Sequence, residues 1–332
     1  SRGLGDVYKR QAMQGKAAGV DIVSNERPGE VGTINVRGVR SLSASNTPLY
    51  VVDGIPLMSN SGIETLNPQD IESIDVLKDA SATAIYGSRG ANGVILVTTK
   101  SGKEGKMSLN YSGTVTIENL QDYSEMMNSA EYIDWRRWSY YYLNPSKYPR
   151  GDQPTKENDY EIFLGATDPT AWKNIEKGWA GGTWDGSRVP NTDWCDMVTQ
   201  TGVTHEHTLS ASGGTDKMKG YASIGYLNNE GTVKGQSYTR YTTKLSLDLK
   251  PTKWFNLGLN VNGTFSEQQY GSSASSVGQL IKGMPSNLYA ASTSLFPYAS
   301  PYDEDGNRIE YPGGDDKVKN VMNEWNLSLI HI

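Results

Sequence analysis

With 332 residues, 37 acidic against 31 basic side chains and a formal charge of −6, the chain lacks the basic stripe that neutralising phosphates requires, which argues against a nucleic-acid partner. Its 36 Gly, 20 Tyr and 8 Trp beside only 4 Phe favour strands, turns and interfaces over an aliphatic core. Cys195 stands alone, which excludes an intrachain disulfide and a cysteine-based zinc site, and no apolar run reaches the ~18 residues of a transmembrane helix, which leaves a β-barrel open because its lipid-facing strands need only alternate.

Residues 1–11 have no periodic pattern and residues 327–332 form an abrupt apolar tail; both resemble translated linker or adaptor sequence, are read as non-native, and are set aside. Short strands punctuated by glycine are expected at residues 20–23, 33–36 and 49–52, where Asp53-Gly54 supplies a tight-turn pair before Ile55-Pro56. Asn67-Pro68 offers an N-cap and first-turn proline for one helical turn, and residues 71–77 alternate as a half-buried strand. A helix is expected over residues 80–86, capped by Asp79 and ended by Gly87 in a left-handed conformation. A Gly-Asn turn then leads to a β-branched strand at 94–99, and the basic stretch 100–106 reads as a domain boundary.

The run IESIDVLKDASATAIYGSRGANGVILVTTK (residues 71–100), with LYVVDGIP (49–56), INVRG (34–38) and GKAAGV (15–20), resembles the plug of the SusC/RagA family of TonB-dependent transporters. The resemblance implies an N-terminal extension ahead of this segment. Its signature falls on Arg37, Gly38, Asp53, Gly54, Pro56, Lys78, Asp79, Tyr86, Gly87, Arg89, Gly90, Asn92 and Gly93. The glycines suit turns and close approaches, while Arg37, Arg89, Lys78 and the acids suit hydrogen bonds between plug and barrel wall; the roles implied are structural and gating, not catalytic.

Residues 108–117 read as a first wall strand. Between Thr239 and Leu249 one face carries Tyr241, Thr243, Leu245, Leu247 and Leu249, the other Arg240, Thr242, Lys244, Ser246 and Asp248. After a turn at 250–253, Phe255, Leu257, Leu259, Val261 and Phe265 alternate with Asn256, Gly258, Asn260 and Asn262. Two more strands are expected at 203–212 and 218–227. The apolar face meets a second sheet in a soluble sandwich and lipid in a barrel, and alternation alone does not decide between them. The long connections, residues 120–201 and those after Gln268, exceed the ~12–15 residues usual in compact domains and favour the barrel.

The 120–201 insert holds Trp135, Trp138, Trp172, Trp179 and Trp184, candidates for stacking on a ligand, although packing and membrane interfaces are the commoner use of such rings. His205 and His207 share a strand face without a third ligand, which is a poor metal site, and a solvated or lumen-facing pair is the better account. The Gly87, Gly90, Gly93 spacing follows a helix rather than opening one, unlike a phosphate cradle, and residues 303–307 lack the glycine and glutamate placement of a calcium loop. Neither a metal, a cofactor nor an enzymatic site is expected.

The expected architecture is an α+β plug domain (residues 12–105) followed by antiparallel transmembrane β-barrel strands with long extracellular loops (106–326), an incomplete part of a barrel of about 22 strands. The resemblance implies TonB-dependent import of oligosaccharides or peptides across the outer membrane of a Gram-negative, Bacteroidota-type bacterium, with TonB, a SusD-like lipoprotein, the ligand and membrane lipid as partners. A siderophore or vitamin receptor of the same fold and a secreted β-sandwich binding module are the alternatives.

Overall fold

A computed structural model of the chain describes residues 20–23, 28–29, 33–36, 47–57, 66–77, 84–90, 92–120, 125–164, 169–270, 288–312 and 320–322. Two compact units form, one from Ser1–Glu118, Gly202–Gly231 and Gln236–Gln269, the other from Asn119–Thr201, Thr232–Gly235 and Tyr270–Ile332.

In the first unit, β1 (Val20–Val23) and β2 (Thr33–Val36) pair antiparallel as a two-stranded sheet. A four-stranded sheet follows in the order β4-β3-β6-β5, from β3 (Leu49–Val52), β4 (Ile55–Pro56), β5 (Ile71–Leu77) and β6 (Val94–Thr99), with β3 parallel to β6. All six strands start and stop where the Gly, Pro, Asn and Asp punctuation predicts. Asp53 and Gly54 have φ of 47° and 86°, the pair of positive values that a two-residue hairpin turn between right-twisted strands requires. Strands β3 and β6 are buried on both faces: Tyr50, Val52, Ile95 and Val97 pack with Ile71 on one side, Leu49, Val51 and Val94 together on the other. Such strands read as continuous apolar runs rather than alternating ones.

Of the helix expected over 80–86, residues 80–83 lie outside the described residues, and the part from Ala84 on takes another form. A 3-10 segment spans Ala84–Gly90, interrupted at Gly87 with φ 59° and ψ −145°. The positive φ falls where it was expected, but ψ lies far from the left-handed helical value near +47°, so Gly87 kinks two short turns instead of capping an α-helix. Asp79 and Lys78, like Arg37, Gly38 and the segments 1–11 and 327–332, lie outside the described residues.

The same unit contains a five-stranded sheet, order β11-β10-β9-β8-β7, from β7 (Gly105–Glu118), β8 (Gly202–Gly214), β9 (Met218–Glu230), β10 (Gln236–Thr252) and β11 (Phe255–Tyr270). The pairs β7–β8, β8–β9 and β9–β10 are antiparallel. At 13 to 17 residues each, these strands far exceed the usual ~5–6 and the ~9–11 needed to cross a bilayer at a tilt. They also outrun the sequence expectation at their ends, so that only residues 231–235 join β9 to β10.

The second unit holds helices α1 (Ser129–Leu143), α2 (Lys156–Ile162), α3 (Pro169–Glu176), α4 (Trp194–Val198) and α5 (Leu288–Ser292). Asn128 and Glu131 cap the start of α1 reciprocally, each side chain bonding the other's backbone N–H. Ile133, Ile162, Phe163, Trp172, Ile175 and Tyr298 form one core, and Trp194, Val198, Leu288, Leu295, Ala299 and Val321 another. The insert and the residues after β11 therefore fold together: Asn174 donates to the Tyr298 carbonyl and Trp194 Nε1 to that of Phe296.

Candidate functional site

Alternation left the inward face of the long sheet undecided, and the structure settles it against intuition. On β10 the polar side chains Arg240, Thr242, Lys244 and Ser246 are 3–7% exposed, whereas Tyr241 and Leu245 are 50% and 38% exposed. Neighbouring strands repeat this, with Glu206, Thr208 and Ser223 buried and Leu109, Tyr111, Leu209, Ile224, Leu257, Leu259 and Val261 exposed. A sheet in a water-soluble sandwich buries the opposite face.

The small α/β portion covers the polar face. The 3-10 turn Pro68–Asp70 begins with Asn67, whose Oδ1 accepts from the Gln69 N–H while its Nδ2 donates to the Thr208 and Thr242 hydroxyls at 3.1 and 3.3 Å. Thr208, Gly225 and Thr242 are cross-strand neighbours, so Asn67 bridges two strands directly above the glycine of the third. A Cβ at Gly225 would lie 2.4 Å from Asn67 Nδ2, which makes glycine there a condition of the close approach. At the far end of the same turn, the Tyr221 hydroxyl donates to buried Asp70 Oδ1 at 2.7 Å.

A second polar contact joins the β3–β4 turn to β10 and β11. Asp53 accepts from the Thr99 N–H at 2.8 Å, the Thr99 hydroxyl at 2.5 Å and Asn260 Nδ2 at 2.8 Å. Lys244 Nζ donates to the Thr99 hydroxyl oxygen, to Asn260 and Asn262 Oδ1 at 3.2 and 3.3 Å, and lies 3.9 Å from the Asp53 carboxylate. Burial alone would raise the Asp53 carboxyl, but the Thr99 and Asn260 hydrogen bonds and the Lys244 charge hold it below its ordinary value. A buried ammonium surrounded by oxygens from three elements is a specific lock rather than a generic adhesive, because a misplaced partner leaves the charge uncompensated.

On the exposed face the aromatics gather in two places. Tyr111, His207, His205, Tyr226, Tyr241 and Phe265 touch in sequence across all five strands, with ring centroids 5.1 to 6.4 Å apart. The Tyr111 hydroxyl and His207 Nδ1 are 2.8 Å apart. At the opposite end, Trp254 and Phe255 meet at the β10–β11 turn. Ten residues of β11 separate Phe255 from Phe265, about 33 Å of strand at ~3.3 Å per residue, or about 25 Å at a tilt of ~40°, the height of a barrel's apolar band between its aromatic girdles. The histidines thus stand on the apolar face, which rules out the lumen-facing arm of the solvated or lumen-facing pair expected of them. Among the described residues, no three His, Cys, Asp or Glu side chains gather as metal ligands. No described helix is long and apolar enough to cross a membrane, which says nothing of strands.

The remaining signature residues hold the α/β portion together. Tyr86 packs on the Leu49, Val51, Val94 cluster; Gly93, with φ 93°, donates to the Gly90 carbonyl and accepts from Leu49 N–H; Pro56 pairs with Val51; Asn92 is half-buried. Arg89, which suits a hydrogen bond between plug and wall, donates to the Leu57 carbonyl at 2.6 Å. Of the signature residues Asp53 contacts the wall, at Asn260 and beside Lys244; its companions Asn67, Asp70 and Thr99 on the plug side, and Tyr221 and Lys244 on the wall, went unnominated, and the available signal was uncommon polarity on a face opposite a continuous apolar one.

Within the second unit, Trp172 is buried in the core, the Trp179 indole donates to Asp159 at 2.9 Å, and the Arg137 guanidinium lies 3.9 Å over the Trp184 ring while binding Asp159 through two nitrogens. Trp138 is half-buried, stacked on Tyr142, and Trp135 is 52% exposed.

Comparison with known proteins agrees with this arrangement. The TonB-dependent Receptor Plug Domain family matches residues 5–94. The TonB-dependent receptor SusC of Bacteroides thetaiotaomicron is 31% identical over 308 residues, covering 87% of this chain and 26% of its own length; a TonB-dependent receptor of Formosa agariphila is 32% identical over 312 residues, covering 93% and 26%. A solved structure of the RagAB peptide transporter superposes with a TM-score of 0.67 at 28% identity, over 90% of this chain and 32% of that one. The chain spans about a quarter of the length of these curated relatives.

Proposed function

The chain belongs to the SusC/RagA family of TonB-dependent receptors, and on that premise we propose that the protein imports oligosaccharides or peptides across the outer membrane of a Bacteroidota-type bacterium. Residues 12–105 act as the plug, and residues 106–326 begin the wall of a barrel of about 22 strands. TonB supplies the energy, and a SusD-like surface lipoprotein shares the ligand. The relation to RagAB, a peptide transporter, supports the peptide arm of this reading. Trp135 and Trp138, which keep ring surface exposed or half-exposed on α1, are the places where a ligand ring or apolar side chain can stack.

The observation that carries the proposal is the inverted sheet: polar residues buried beneath the plug, apolar residues exposed in a band ended by aromatic rows. Only surroundings of hydrocarbon make that the stable arrangement. In the complete protein, substrate passage requires the Asn67, Asp70 and Asp53–Lys244 contacts to open, so the plug is held by a few localised polar bonds that a pull can break in turn. The test is to express the full reading frame with an outer-membrane signal. A heat-modifiable barrel in detergent that co-purifies with a lipoprotein and binds peptide or glycan is the expected result. A water-soluble monomer overturns the reading in favour of a binding module.

A further inference from the structure

Three arginines of the 119–201 insert each hold a carboxylate: Arg137 binds Asp159 and Asp134, Arg150 binds Asp152, and Arg188 binds Asp185. The fourth, Arg136, does not. Half-buried on α1, it makes no ion pair among the described residues, and its polar neighbours are neutral: the Ile162 carbonyl, which accepts from Nη2 at 3.1 Å, and the phenols of Tyr132 and Tyr140. Its guanidinium carbon lies 5.3 to 5.9 Å from the ring centres of Phe163, Phe296 and Tyr140, none of them as close as the 3.9 Å at which Arg137 stacks on Trp184. Among the described residues Ser223 Oγ is the one fully buried side-chain polar atom without a hydrogen-bond partner, so the guanidinium nitrogens of Arg136 that lack an acceptor are open to the outside. Tyr132 precedes Arg136 by four residues and Trp135 by three, so its ring serves both; its centroid is 5.6 Å from that of Trp135 and 5.6 Å from that of Phe296. A permanent cation thus stands beside an aromatic ledge that ends in Trp135, 52% exposed.

We propose that Arg136 binds a carboxylate of the imported peptide, with Tyr132 and Trp135 taking an apolar side chain next to it. This rests on the import reading given above and names the chemical group that the insert selects. A guanidinium drawn out of water among neutral acceptors is left short of the hydrogen bonds it had in solvent, and attraction to the surrounding rings offsets only part of that cost. A carboxylate supplies the rest: it accepts charge-assisted N–H bonds from the open part of the fork, and the ring walls strengthen the pairing beyond what an arginine in full solvent gives. Where the insert uses an arginine for its own cohesion it provides the acid itself, as Asp159 does for Arg137 through two nitrogens. A peptide carries carboxylates at its C-terminus and on Asp and Glu side chains, and either one meets this requirement.

The experiment incubates the full-length transporter in mild detergent with a chymotryptic digest of casein, and separately with the same digest after chemical amidation of all its carboxyls, and quantifies the retained peptides by mass spectrometry. Wild type is expected to retain the free acids about tenfold better than their amides, the loss of one charge-assisted pair. In Arg136→Gln that preference falls to about one, and in Arg136→Lys, which keeps the charge but not the fork, it is intermediate. Because the readout is a ratio, a variant that merely folds less completely loses both forms alike and keeps the preference. Synthetic copies of a retained peptide, one amidated at its C-terminus and one with Asn and Gln in place of Asp and Glu, assign the carboxylate to the terminus or to a side chain. Equal retention of free and amidated peptides by wild type, or a preference that survives Arg136→Gln, overturns the inference and leaves import standing. Retention of oligogalacturonate through Arg136 in place of peptides overturns the peptide assignment. A heat-modifiable wild-type barrel that retains neither peptide nor glycan sinks the import reading beneath it.

Discussion

The long sheet and the helical insert solve the burial problem in opposite ways. In the insert, Ile133, Ile162 and Ile175 are hidden and the charges that go in do so as a bonded group, Arg137 with Asp159 and Trp179. In the sheet, leucines, isoleucine and tyrosines face outward while Lys244, Arg240 and Glu206 lie inside. On the proposed function, the same alphabet is used with reversed sign because the sheet's two neighbours are hydrocarbon and a polar plug, whereas the insert's neighbour is water.

That contrast can be broken most sharply in the insert. Arg137→Met leaves Asp159 buried without its guanidinium and is expected to destabilise that unit by about 3–5 kcal/mol; denaturant unfolding followed through Trp179 and Trp184 fluorescence measures it. On the sheet, Ile224→Arg is expected to cost about 2–4 kcal/mol in a lipid-embedded barrel, though Ile224 is 58% exposed and the same change on a water-facing surface stays within about 0.5 kcal/mol. Unfolding in lipid vesicles separates the two.

The plug contacts sharpen the comparison from the other face. Asn67→Ala removes a turn cap, about 1 kcal/mol, and two wall hydrogen bonds of about 0.5–1.5 kcal/mol each; the expected result is faster proteolysis of residues 49–99 with the barrel still heat-modifiable. The smallest effect is that of pH. The seated Asp53 carboxyl titrates below its ordinary value, so its contribution is fully present above 3.8 and is lost as pH falls below it. Plug release on acidification should shift upward in Lys244→Met, whose Asp53 loses the cation beside it.

The sequence made the strands legible because glycine, proline, asparagine and aspartate bracket them: the β3 to β4 turn at Asp53-Gly54 and the cap at Asn67 are local devices. It also displayed both faces of β10. Which face points inward was not legible, since alternation is symmetric and the surrounding medium leaves no local mark. The helices of the insert were hidden by aromatic density, although Asn128 and Glu131 spell a capping box that a search for caps finds. The plug seat was beyond reach for a different reason: Asn67 meets Thr208 and Thr242, 141 and 175 positions away, and no spacing rule spans such distances.

The most direct test of the inverted sheet is spin labelling of consecutive positions 241 to 246 in the full-length protein reconstituted in vesicles, reading collision with oxygen against collision with a water-soluble nickel chelate. The account predicts a period of two, with labels at 241, 243 and 245 open to oxygen and closed to nickel, and labels at 242, 244 and 246 shielded from both beneath the plug. Odd positions that meet nickel as readily as oxygen would place the apolar face in water and contradict it.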